Sequence, residues 1–209
     1  MATSRQAKKL IEVFEDVKTD PMQEILGDGL LAIIRDRRDL AQQFINVARG
    51  LAEIRPINHT IDLAVPCKLP FKGAERISPA KSGVVKIERR GGNLYIDGKK
   101  IELFHSAGQQ GDSHIVGHEL RKEFEAKGGQ CGGSILDHLV AHPELWPESW
   151  KRDENGDTIF VYFWDDIFRG SDGGLCVRYG YWSAGRVVSY HDWLDYVWYR
   201  FRPSASVVS

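Results

Sequence analysis

The chain has 209 residues and a mass of 23.7 kDa, enough for one large domain or two small ones whose core needs neither disulfide nor structural metal. Its 28 basic and 29 acidic side chains leave a formal charge of -1, which excludes a nucleic-acid wrapper held by bulk charge. No apolar run reaches the ~18 residues of a membrane span and no apolar leader is visible; the three widely spaced cysteines, Cys67, Cys131 and Cys176, fit free thiols, so a soluble cytoplasmic protein with no membrane partner is expected.

The first predicted helix covers residues 4–18, where Ala7, Leu10, Ile11, Phe14 and Val17 fall on one stripe. Asp20-Pro21 opens a short second helix to Leu26, and a third stripe runs from Leu30 to Leu51. Residues 1–55 therefore read as a helical module, a docking surface for another protein. Pro66, Pro70 and Pro79 punctuate an irregular stretch to about Gly83. Alternating strands then flank Asp97-Gly98, a two-residue turn in which both residues favour positive φ. Helices are predicted over 116–127, stopped by Gly128-Gly129, and over 134–142, stopped by Pro143. Three strands follow, near 158–164, 175–182 and 186–191, with turns at Asp172-Gly173-Gly174 and Ala184-Gly185. The run 158–164 is too apolar on both faces for a half-exposed strand. An irregular tail carries Trp193, Trp198 and Phe201 as far as Pro203.

Chemistry-bearing spacings are few. His114/His118 and His138/His142 have the i, i+4 spacing that places two metal ligands on one helix face, and Cys131 lies near the second pair. Neither first histidine is followed by the glutamate of a zinc protease, and Pro143 cuts the helix off at His142. Both pairs are expected to be polar surface histidines, with no metal and no cofactor. Asp97-Gly98-Lys99 is the sole acid-x-Lys unit beside Glu88 and Glu102, and its turn already explains Asp97. There is no Gly-x-Ser-x-Gly elbow, and no glycine pair precedes a Lys-Ser/Thr. No enzyme is expected.

The aromatic residues are unevenly spread. Of 22 in the chain, 14 lie between Ile159 and Arg202, where every cation is an arginine. Tyr, Trp, Arg, Asp, Ser and Gly without Lys is the composition of a binding face.

Residues 134–206 carry a resemblance. The run from Ser134 through Trp150, Ile159–Trp164, Trp182, Gly185-Arg186, Trp193-Leu194-Asp195 and Trp198 resembles a bacterial family that keeps this frame while the residues between scatter among Asn, Tyr, Ser, Asp, His, Cys, Gly and Arg. That alphabet is what randomising the adenines of an asparagine codon produces. The chain is thereby similar to the variable proteins of diversity-generating retroelements, whose C-terminal C-type-lectin-like domain displays mutagenised residues to a ligand. The resemblance implies an α+β fold: the helical module 1–55, then a mixed, mostly antiparallel lectin-like domain over 56–209 with its variable region at about 160–206. It implies a ligand-binding role for Ser183, Tyr190, His191, Asp192, Tyr196, Tyr199, Phe201 and Arg202, joined by Asp165, Asp166, Phe168, Gly180 and Tyr181. The ligand would be a protein, and Trp182, Trp193 and Trp198 a buried frame. Val187 stands where members carry Trp, and Ser204-Ala205-Ser206 replaces an apolar end, which leaves the packing of the last strand open. The alternative is a nucleic-acid-directed regulator or inhibitor of a mobile element, stacking bases on the same rings.

Overall fold

A computed structural model describes residues 59–111 and 113–208. Strand β1 (His59–Asp62) and the two-residue β2 (Glu75–Arg76) precede a three-strand meander: β3 (Val84–Arg90), β4 (Asn93–Ile96) and β5 (Lys99–Phe104). One face of the meander is apolar at Ile87, Leu94 and Ile101, all buried, which fixes its register. Ile96 pairs with Lys99 across Asp97-Gly98, at φ 48° and 77°, the mirror-image turn that matches strand twist. The Asp97 carboxylate also accepts the Lys86 N–H at 2.7 Å, tying the turn to β3.

Short strand β6 (Ile115–Val116) leads into helix α1 (Gly117–Lys127), which buries Leu120 and Phe124, and Gly128 ends it. Helix α2 (Gly133–Ala141) buries Ile135, Leu136 and Leu139 and stops before Pro143. A second meander follows: β7 (Val161–Arg169), β8 (Leu175–Ser183) and β9 (Arg186–Trp193). Strand β10 (Val197–Trp198) pairs with β6, and β11 (Ser204–Val207) ends the described chain.

These strands form one nine-stranded sheet in the order β1-β3-β4-β5-β11-β7-β8-β9, with β2 added beside β7. Only the β11–β7 pairing is parallel among those described. The sheet curls into a half-barrel. This corrects the expected fold class. The described region is a curled mixed sheet with two α-helices, not an α+β domain of the C-type-lectin-like kind, and the predicted module 1–55 lies outside the described residues. β11 makes the difference, because it joins the two meanders into a single sheet. Its sequence, Ser-Ala-Ser-Val, alternates but is short and carries only one large apolar side chain, a weak signal for a buried strand. It is buried all the same: Ala205 packs in the core, and the Ser204 and Ser206 hydroxyls both donate to Gln130 Oε1, at 2.6 and 2.9 Å.

Both faces of β7 are covered, which explains the doubly apolar run 158–164. Val161 and Phe163 face a core built with Leu136, Leu139, Trp146 and Val187 on the α2 side. Tyr162 and Trp164 face the opposite way, into a core with Leu120, Phe124, Leu194 and Trp198 on the α1 side. Buried charges fasten the segment before β3 to this sheet. Arg178 donates to Asp137 Oδ1 at 2.7 Å and to the Lys68 carbonyl at 2.9 Å, and Arg76 pairs with buried Asp166. Among the described residues no helix is long and apolar enough to cross a membrane.

Candidate binding face

Successive side chains of a strand point to opposite sides of the sheet, and that alternation sorts the predicted site residues. Tyr179 pairs with Tyr162 on one side and with Tyr190 on the other, so these three rings lie on one face. Tyr179 and Tyr181 both stack near Tyr190, with centroids 6.4 and 6.3 Å away. Phe160 touches Tyr179, Tyr181 and Phe201 at 5.6, 5.3 and 6.3 Å. Phe201 lies parallel to Tyr199 at 5.7 Å, and Tyr199 meets His114 at 5.6 Å. A continuous line of rings thus runs from Tyr190 to His114.

The ends of that line are wet. Tyr190 is 57% and Tyr199 38% exposed, while Trp198, which carries Tyr199, is fully buried. Among the described residues no side chain or backbone group pairs with the hydroxyls of Tyr181, Tyr190 or Tyr199. Asp192 sits beside the line and is already engaged: it accepts from the Tyr162 hydroxyl and from Arg202 Nη1, the latter at 2.8 Å. Burial, and then the Asp192 charge, push the Tyr179 hydroxyl up to about 12 and hold that of Tyr162 well above its ordinary value, so both stay neutral hydrogen-bonding groups.

The structure brings Tyr181, Tyr190, Tyr199, Phe201, Asp192 and Arg202 together, with Ser183 at the end of β8 on the same side. Tyr196 is 52% exposed in the turn before β10, without a ring contact to the line. Five predicted residues do not belong. Phe168 is fully buried with Cys67, Ala74 and Cys176. Gly180 faces α2, where a Cβ would lie 2.7 Å from Leu136 Cδ1. Asp166 is buried, accepting the Gly133 N–H at 2.6 Å as well as its Arg76 bond, and Asp165 pairs with Lys81. His191 points to the α2 side, between Phe71 and Trp193, because its neighbours Tyr190 and Asp192 point to the other. Burial lowers its pKa. Of the three frame tryptophans, Trp198 is fully buried and Trp182 and Trp193 are half-buried.

Sequence reasoning missed Phe160, Tyr179 and His114. The i, i+2 pairs Phe160/Tyr162 and Tyr179/Tyr181 were the available signal for the first two; His114 comes from a loop remote in sequence.

All three cysteines are buried. Burial raises Cys67 and Cys176 to about 11 and Cys131 to about 12, so each is a thiol rather than a nucleophilic thiolate at neutral pH. A thiol-specific colorimetric reagent is expected to leave the native chain unmodified and to react with all three sulfurs after denaturation. Rapid modification of the native chain would contradict this burial.

No family model matches the chain, and no curated protein or solved structure matches it.

Proposed function

We propose that the ring line from Tyr190 to Tyr199 is a ligand-binding face for a protein partner, and that its exposed residues differ from copy to copy by retroelement mutagenesis. The observation that carries this reading is the line itself: contiguous rings, free hydroxyls and exposed ends, on a strand layer whose other side is packed core. Contiguous aromatic surface of this kind marks partner sites on monomeric proteins, and tyrosine gives large contact area at low entropic cost. Asp192 and Arg202 neutralise each other, and Arg200 lies near Asp153 and Glu154, at 3.9 and 3.6 Å. With its cations so committed, the face favours a protein over a phosphate backbone. A nucleic-acid ligand would instead bind with a steep loss of affinity between low and physiological salt.

The interchangeable set is Tyr181, Ser183, Tyr190, Tyr196, Tyr199 and Phe201, while Asp192 and Arg202 are held by each other and by the buried Tyr162 hydroxyl. Exposed positions accept replacement at about 0.5 kcal/mol or less each. Changing Tyr190, Tyr196 and Tyr199 together to serine should therefore shift the melting temperature by about 5 °C or less. A display library randomised at those three positions should stay folded and yield binders to unrelated protein targets. Collapse of most library members would sink the reading. A copy of the encoding segment that differs only at adenines, beside a reverse transcriptase, is the expected genomic signature; absence of any such copy would remove the mutagenesis part while leaving the binding face.

A further inference from the structure

On the α2 side of the sheet, remote from the ring line in topology, three histidines meet. His138 and His142 share one face of α2, and β1 brings in His59, buried and paired opposite Ile87. His142 is not a frayed end: it caps the helix, donating its backbone N–H to the His138 carbonyl at 2.8 Å. The ring centroids of His59 and His142 are 4.6 Å apart, and those of His138 and His142 are 4.5 Å apart. One ring nitrogen from each histidine lies within 4.8 Å of the other two.

Glu144 completes the group. Pro143 starts a single turn, Pro143–Leu145, that swings the Glu144 carboxylate back to 3.1 Å from His142 Nδ1 and 4.0 Å from His59 Nε2. Arg89 donates to the Glu144 carbonyl at 3.0 Å, and buried Leu145 anchors the turn.

A buried histidine ordinarily hands its ring N–H to a carbonyl or carboxylate. His59 Nδ1 instead faces another ring nitrogen, His138 Nε2, at 3.2 Å. In a tetrahedral zinc site with Zn–N near 2.0–2.1 Å, ligand nitrogens stand about 3.3 Å apart. The pair is already at ligand spacing. With Nδ1 of His142 against Glu144, its Nε2 is left for the same ion. We propose that His59, His138 and His142 bind one divalent transition-metal ion of the zinc type, with Glu144 behind His142 and His59 as the orienting carboxylate. Imidazole donors select such ions over calcium or magnesium, which take oxygen. His142, half-exposed, leaves an approach from solvent.

The test uses the full chain, stripped with chelator, dialysed and titrated with zinc chloride by calorimetry, with metal content measured after gel filtration. One zinc per chain should be retained, and cobalt(II) in its place should give the intense visible absorption of a tetrahedral site. His142→Ala, at the half-exposed helix end, should weaken zinc binding about 100-fold or more, and Glu144→Gln about 10-fold or more. A His118→Ala variant, at an α1 ring that pairs with Asp195, should bind as the parent does. His59→Ala carries weight if its far-UV circular dichroism matches the parent; if it unfolds, His142→Ala and Glu144→Gln decide. Absence of stoichiometric zinc in the parent, or parental affinity in a folded His142→Ala chain, would overturn the site.

Discussion

Trp198→Ala is expected to destabilise the protein by about 3–5 kcal/mol, a large share of the 5–15 kcal/mol that holds a typical domain. The indole is fully buried, with Trp164 and Tyr162 rings at 5.4 and 5.5 Å. On its other side Gly117 opens α1, so close that a Cβ there would sit 2.4 Å from Trp198 Cζ3. Removing the ring leaves a cavity between helix and sheet that neither can close, since Leu194 and Trp198 fix the chain beneath Tyr196 and Tyr199. The melting temperature should fall by about 10 °C or more. Trp198→Phe is the informative partner variant. The Trp198 indole N–H has no acceptor among the described residues, so phenylalanine sacrifices ring area without orphaning a polar group. It should cost distinctly less than alanine. Equal losses in calorimetry would mean that the N–H, and not the packing, matters.

That buried indole was legible in the sequence, and its neighbourhood shows why other features were not. Alternation around Asp97-Gly98 gave the first meander, because turn chemistry and apolar period agree there. The stop signals Gly128-Gly129 and Pro143 placed the ends of both described helices to within a residue. The sheet's closure was invisible, since Ser204-Ala205-Ser206 is stabilised by Gln130, a residue more than 70 positions away. The candidate face was half legible. Composition found the aromatic third of the chain, yet residues adjacent in sequence were grouped as one surface, and the period of two separates Tyr190 and Asp192 from His191. The bulge in β7 between Tyr162 and Ile167 hides the same alternation around Asp165 and Asp166. For the histidine cluster, spacing gave His138 and His142 but not His59, because a ligand from another strand has no local signature.

Gly180→Tyr separates the two sides of β8 most sharply. Gly180 pairs with Val161 and with Ser189, in the middle of the sheet, and it faces α2. A Cβ would stand 2.7 Å from Leu136 Cδ1 and 3.2 Å from Trp146 Cη2. Alanine is expected to cost about 1–3 kcal/mol as the Leu136 terminus shifts. Tyrosine has nowhere to go, because Leu136 and Trp146 are themselves fully buried, and the loss should exceed about 4 kcal/mol. The chain should then fail to melt cooperatively, or should accumulate as aggregate. Tyr190→Gly, one strand over and on the opposite face, removes as many atoms as Gly180→Tyr adds and should cost only about 1–2 kcal/mol, most of it the backbone entropy of a strand glycine. Position 180 must therefore stay glycine in any diversified copy while position 190 is free to change. A folded Gly180→Tyr protein with a parental melting curve would overturn the assignment of faces, and with it the set of residues offered to a ligand.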